Sequence, residues 1–262
     1  METEAVLDLL REVADTLVTP RFRALEEGQV QEKAPGDLVT VADREAEAAI
    51  TDRLHEAYPD AVILGEEAYA LEPAIARAYA DADHAFTIDP VDGTKNFVHG
   101  SPDHALMVAE LRSGHCVRSW IHQPQHQRSF VAELGAGAFS DDRRMVRAPV
   151  SVDPQQIRAV SAVRAWLGDM VGEIGPLELT WVCCGVDYPR LIEGAADVAL
   201  YGGTFPWDHA PGTLMVTEAG GHVGGFDGSD YDARVSTRGL VVAGDRASYE
   251  LVLAGLPSLA RR

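Results

Sequence analysis

The sequence predicts a mixed α/β chain made of two halves, residues 1–146 rich in antiparallel sheet and residues 147–262 in which strands and helices alternate. Three observations predict it. Short apolar runs with strand character follow one another in the first half as "ALMVAEL", "CVRSWIH" and "RSFVAEL", and "LGAGAF" supplies the glycine turn of a hairpin. From about Arg147 the pattern becomes strand, helix, strand, helix, which is the signature of an α/β layer. No internal repeat, low-complexity tract or flexible linker separates the halves, so they are expected to pack tightly rather than to stand as independent domains.

In chain order, Val6, Leu9, Leu10, Val13 and Leu17 recur at helical spacing, which predicts an amphipathic helix over residues 4–17 with Thr3 as N-cap. The stretch "KAPGDLVTVADREAEAAITDRLHEAYP" breaks at Pro35 and Gly36, passes through the β-rich "LVTV", and enters a second helix near Asp43 that ends before Pro59. "AVILGEE" and "HAFTIDP" each read as a short buried strand followed by acids, so two neighbouring strands would deliver carboxylates to one edge of a sheet. In the second half "IRAVSAV", "ADVALYG" and "GLVVAG" read as strands. Helices are predicted around residues 188–194, in "APGTLMVTEAGG" and in "RASYELVLAGL". "EAGG" marks the end of the middle helix, with Gly220 or Gly221 at its C-terminal cap.

Composition narrows the function. Hydrophobic residues are 46% of the chain, which excludes a disordered chain and allows a sizeable core. Asp and Glu total 41 against 22 Lys and Arg, a formal charge of -19, so a nucleic-acid backbone would meet repulsion and no nucleic-acid partner is expected. A small anionic substrate is still compatible with this charge if divalent cations sit between carboxylates and phosphate. No apolar run approaches a membrane span, and "METEAVLDLLREVADTL" carries acids where a signal peptide carries bases, so a cytoplasmic protein without a membrane partner is expected. Cys116, Cys183 and Cys184 are odd in number and read as reduced, structural thiols.

Four stretches far apart in sequence place acids at a strand end or helix start: "VTVAD" with Asp43, "LGEE" with Glu66 and Glu67, "DPVDGT" with Asp89, Asp92 and Thr94, and "PWDHAPG" with Asp208. Singly each has an ordinary explanation. Asp, Pro and Gly suit tight turns, Gly-Glu-Glu suits a solvated turn, and Asp43 and Asp208 suit N-caps. Together they describe an oxygen-ligand site for hard cations such as Mg²⁺.

The order and spacing of these stretches resemble the inositol monophosphatase family, the lithium-sensitive, magnesium-dependent sugar phosphatases related to fructose-1,6-bisphosphatase. The resemblance rests on "GEE", on "DPVDGTKNF" against the family's Asp-Pro-x-Asp-Gly-Thr-x-Asn-Phe, and on "WDHAPGTLMVTEAGG" against its Trp-Asp-x-Ala-x-Gly followed by Glu-Ala-Gly-Gly. It implies the layered αβαβα sugar-phosphatase fold, a homodimer, and two or three Mg²⁺ ions. It further implies Glu66, Asp89 and the carbonyl of Val91 as ligands of a first ion, Asp89, Asp92 and Asp208 as ligands of a second, and Glu66 for a looser third. Thr94 and Asp43 resemble the pair that orients and deprotonates the attacking water. Asp92, Gly93, Thr94, Cys184 and Asp208 fall at the substrate pocket, and Lys33 near the ligand cluster. The resemblance also implies lithium inhibition through the weakly held ion.

The chemistry agrees with those roles. A phosphate monoester dianion repels a hydroxide nucleophile, so hydrolysis needs positive charge on the phosphoryl oxygens and a water made nucleophilic at neutral pH. Gly93 and Thr94 open a predicted helix N-terminus, where glycine lets an anion approach the backbone. The substrate expected is a small polyol, sugar or amino-alcohol phosphate. Histidinol phosphate, fructose 1,6-bisphosphate and a nucleotide 3′-phosphate are the alternatives, and a catalytically silent metabolite-binding regulator is the alternative of another class. In inositol-specific members a glutamate lies a few residues before the Trp-Asp motif, and the ungapped match puts Tyr201 or Gly202 there. In "HQPQH", His122 and His126 with Cys116 upstream could form a zinc cluster, but Pro124 breaks the helix that would align them, so surface histidines are expected.

Overall fold

The computed structural model describes residues 1–258. Helix α1 (Thr3–Val13) continues through a π-helical turn (Ala14–Val18) into a 3₁₀ turn (Thr19–Arg21). The hairpin β1 (Val30–Ala34) and β2 (Asp37–Thr40) closes over Pro35 and Gly36, and Gly36 has φ +78. Helix α2 (Val41–Ala57) follows at once, started by a capping box between Thr40 and Asp43. Next come β3 (Val62–Gly65), α3 (Glu66–Leu71), α4 (Ile75–Asp81), β4 (His84–Asp92) and α5 (Thr94–Val98). A meander completes the first half: β5 (Ala105–Arg112), β6 (His115–Gln123), β7 (Arg128–Glu133), β8 (Gly137–Ser140) and β9 (Arg143–Met145). The second half contains β10 (Ala159–Ser161), β11 (Glu178–Leu179), α6 (Cys184–Ile192), β12 (Val198–Tyr201), α7 (Pro206–Glu218), β13 (His222–Gly225), β14 (Leu240–Ala243) and α8 (Arg246–Gly255).

Strands β3 to β9 form a seven-stranded sheet in chain order, and β11-β10-β12-β14-β13 form a five-stranded one. The two faces of each sheet bury different clusters. On β5, Leu106 and Val108 face α1 and α2, joined there by Phe86, Ile88 and Trp120, while Ala105 and Met107 face α6 and α7. On β12 and β14, Ala199, Tyr201, Leu240 and Val242 join that α6/α7 layer, whereas Val198, Leu200, Val241 and Ala243 pack on Tyr249 and Val252 of α8. The result is five layers, αβαβα, with α6 and α7 sandwiched between two sheets. Strands buried on both faces read as unbroken apolar runs, which is why "ADVALYG" and "GLVVAG" lack alternation.

The structure departs from the sequence expectation in several places. Glu2, not Thr3, caps α1, and the Thr3 hydroxyl is spent on Glu133. Helix α6 starts at Cys184, four residues before the predicted start, and α7 takes in "PWD". The C-terminal sheet is mixed: β10 runs parallel to β11 and β12, but β12, β14 and β13 pair antiparallel. Helices α3 and α4 and strands β11 and β13 carry no strong local signal, because elements this short gain their stability from packing. Gly220, with φ +96, follows the last residues of α7 as expected.

Candidate active site

On a regular strand two aspartates three positions apart would point to opposite faces, because side chains alternate. Strand β4 avoids this with a bulge. Asp89 pairs with Met107 and Asp92 with Ala105, so three steps on β4 match two on β5. The extra residue resets the alternation and brings both carboxylates to one side. Asp208, in the first turn of α7, completes the group: oxygens of Asp89, Asp92 and Asp208 lie within 4.8 Å of one another.

Such crowding disfavours the charged forms. Burial first, and then the neighbouring Glu66, Asp92 and Asp208, push the Asp89 carboxyl well above its ordinary value. Burial, with Glu66 and Asp92, does the same to Asp208. Asp92 is raised to about 6 by burial, and is held from rising further by the Cys183 thiol at 2.9 Å and the Gly185 N–H at 2.6 Å. Asp89 Oδ1 is buried with no hydrogen-bond partner. A buried, orphaned carboxylate oxygen beside two further carboxylates fits a hard divalent cation, which takes oxygen ligands and relieves the repulsion.

Glu66 opens α3 beside this group, and Lys33 reaches it from β1 at 2.6 Å, with Glu67 at 2.8 Å. Burial raises the Glu66 carboxyl to about 7 against the pull of Lys33. Burial works against the Lys33 charge, yet Glu66 and Glu67 hold its ammonium above the ordinary lysine range. Asp43 stands in the first turn of α2. Its Oδ2 accepts from the Thr40 N–H and hydroxyl, and its Oδ1 lies 3.1 Å from the Thr94 hydroxyl, which is also 3.1 Å from the Val91 carbonyl. Burial lifts Asp43 to about 6. Gly93 begins α5 at φ +80, and a Cβ there would sit 2.9 Å from the Asp103 carbonyl and 3.1 Å from Cys183 Cβ, so the position is closed to side chains. Burial and the surrounding Asp92, Asp208, Asp187 and Asp89 push the Cys184 thiol well up, which keeps it a neutral wall of the site.

Comparison with known proteins identifies the family. The profile of the Inositol monophosphatase family matches residues 2–260. This chain belongs to that family. It is 32% identical over 247 residues to an inositol-1-monophosphatase of Mesorhizobium japonicum, covering 88% of this chain and 87% of the relative. It is 31% identical over 265 residues to the Nus factor SuhB of Pseudomonas aeruginosa, with 95% of each chain covered. In fold it matches the solved inositol monophosphatase of Thermotoga maritima at a TM-score of 0.81 and 24% identity, covering 98% of this chain and 97% of that one. The chain is therefore a phosphatase of this family, with the family's layered architecture.

Three supports of this family member's site escaped the sequence reading. Glu47, one helical turn after Asp43 on α2, accepts the N–H groups of Glu67 and Ala68, both at 2.8 Å, and so caps the helix that presents Glu66. Gly65 makes room for it, since a Cβ there would meet Glu47 Cδ at 2.2 Å. Asn96 gives its amide to the carbonyls of Asp103 and Trp181, at 2.8 and 2.9 Å, tying α5 to the loop before α6. In that loop Val182 has φ +58, an unfavourable value for a β-branched residue. Asp187, on α6, is raised to about 8 by burial and the nearby Asp92, and accepts the Tyr201 hydroxyl at 3.1 Å. The surface histidines of the sequence reading need correction: His122 is buried against Ser129 at 3.0 Å, because strand β6 extends through it. His126 pairs instead with Asp103 at 2.9 Å, while Cys116 donates towards Ala210, so the three do not assemble.

Proposed function

We propose that the protein is a Mg²⁺-dependent phosphomonoesterase of a small polyol, sugar or amino-alcohol phosphate, with myo-inositol 1-phosphate a poor substrate. The observation that carries this reading is the convergence of Asp89, Asp92 and Asp208 next to the Asp43–Thr94 pair. In it Glu66, Asp89 and the Val91 carbonyl would hold one cation, Asp89, Asp92 and Asp208 a second, and Glu66 a looser third. Bound there, the cations would supply positive charge to the phosphoryl oxygens and lower the pKa of water. The Thr94 hydroxyl has a single proton, and by donating it to Asp43 it turns a lone pair to the incoming water and orients it. Asp43, lifted to about 6, is poised near neutral pH to take up a proton through that hydroxyl. Lys33 offsets the charge of Glu66 and Glu67. With all these positions intact, a catalytically silent regulator is the weaker reading.

Specificity follows from Tyr201. By the ungapped match Tyr201 or Gly202 falls where the family resemblance implies a glutamate in inositol-specific members; Tyr201 is buried, donates its hydroxyl to Asp187, and packs edge-on against the His209 ring at 4.8 Å. No carboxylate is presented there to accept substrate hydroxyls, and an unmatched buried polar group costs about 1–3 kcal/mol. Across a panel including inositol, sugar, glycerol, histidinol and nucleotide 3′-phosphates and fructose 1,6-bisphosphate, the best substrate is expected to exceed inositol phosphate in kcat/KM by at least about tenfold, or roughly 1.4 kcal/mol. Inositol phosphate emerging as best would overturn the specificity reading, and no phosphate release from any ester with Mg²⁺ would overturn the function. In the same assay Li⁺ in the tens of millimolar is expected to inhibit; insensitivity removes the weakly held ion from the scheme. A homodimer belongs to this reading too, and sedimentation showing only a 28.2 kDa species would remove it.

A further inference from the structure

At the other end of α6 from the carboxylates, the surface carries a concavity of about 350 Å³ lined by Arg128, Ser140, Arg143, Met145, Ile192 and Glu193. Arg144 and Val146 complete its rim. Arginines gathered here run against a chain whose formal charge is -19. Arg128 on β7 donates to the Ser140 hydroxyl at 3.0 Å and pairs with Glu193 at 2.5 Å. Arg143 lies opposite Ser140 in the β8–β9 pairing and is exposed, and its guanidinium has no hydrogen bond or ion pair among the described residues. Arg144 alternates to the other face, with its guanidinium 5.9 Å from the Phe139 ring.

Two planar guanidinium groups and a hydroxyl around a pocket of this size match the tetrahedral, multiply accepting oxygens of phosphate. We propose that this cleft is a second anion site, binding orthophosphate or the phosphate group of a small phosphorylated molecule outside the catalytic centre. Glu193 is its gate: the anion competes with this carboxylate for Arg128. The gate sits at the C-terminal cap of α6, whose first turn gives the Gly185 N–H to Asp92, about 12 Å of helix rise away.

The test uses the full chain stripped of metal, because the bare carboxylate cluster repels anions and leaves the cleft as the binding place. Orthophosphate titrated by calorimetry is expected to bind saturably in the millimolar range. Arg143→Ala should weaken it at least about tenfold, and Glu193→Gln should strengthen it several-fold by freeing Arg128. Asp89→Asn should leave it unchanged. Absence of saturable binding, an Arg143→Ala variant that binds like wild type, or loss of binding in Asp89→Asn would each overturn the site. Glycerol phosphate titrated in parallel separates the sources: tighter binding than orthophosphate supports a phosphorylated metabolite as the occupant, and equal or weaker binding supports free phosphate.

Discussion

Asp89→Asn is expected to remove phosphatase activity by at least about a thousandfold, some 4 kcal/mol of transition-state stabilisation, while the protein stays folded. The proposed role of Asp89 as a ligand shared by two cations accounts for the size of the effect, since one neutral substitution weakens both sites. The folded state should tolerate it. Asparagine has the same shape, its amide can donate to Asp208, and the change removes one charge from a group of mutually repelling carboxylates. The metal-free variant should melt at or above the wild-type temperature, and the rise in melting temperature that Mg²⁺ gives the wild type should be largely lost. Near wild-type kcat/KM at saturating Mg²⁺ would sink the assignment of Asp89 as a ligand.

Metal-free protein is expected to lose stability as pH rises from 5 to 8, the reverse of ordinary acid denaturation. Burial raises Asp43 and Asp92 to about 6, Glu47 and Glu66 to about 7, and Asp187 to about 8. Unfolded, these carboxyls titrate near 4, so between about pH 4 and 8 the native state binds more protons than the unfolded one. Stability therefore falls with rising pH through that window. Below it, groups of opposite sign take over, such as Asp232, which its hydrogen bond from Arg234 holds below the usual carboxylate range. A single buried carboxyl displaced upward by two pH units contributes about 2.7 kcal/mol, so a loss of at least about 2 kcal/mol between pH 5 and 8 is expected from the set. Mg²⁺ should restore most of it at pH 8 and little at pH 5, where protons occupy its ligands. Urea unfolding at the two pH values with and without Mg²⁺ measures both effects, and stability that is flat or rising with pH in the metal-free protein would refute the account.

How much of this was legible in the sequence depended on range. The buried strands "AVILG" and "HAFTI", the start of α2 near Asp43, the meander and the helix after "WD" are written in local periodicity and turn residues, which act over a few positions, although the cap of α2 is Thr40 and not Asp43. Residue chemistry likewise marked Asp43, Glu66, Asp89, Asp92, Thr94 and Asp208, because several acids at strand ends and helix starts form a pattern that hard-cation chemistry explains.

What no local pattern contained was which groups meet. That Asp89 and Asp92 share a side depended on a one-residue bulge against β5, a property of pairing between strands. That Lys33 reaches Glu66, that Glu47 caps α3 through the space left by Gly65, and that Tyr201 spends its hydroxyl on Asp187 depended on contacts 33, 20 and 14 residues apart. His122 was misread for the same reason, since its burial comes from strands packed on both sides of β6 rather than from its neighbours in sequence. The sequence by itself determined the longer elements and the candidate ligand types, because secondary-structure propensity and ligand chemistry are short-ranged. Tertiary structure alone decided their convergence and their protonation, because register, burial and electrostatic fields are set by the whole packed chain.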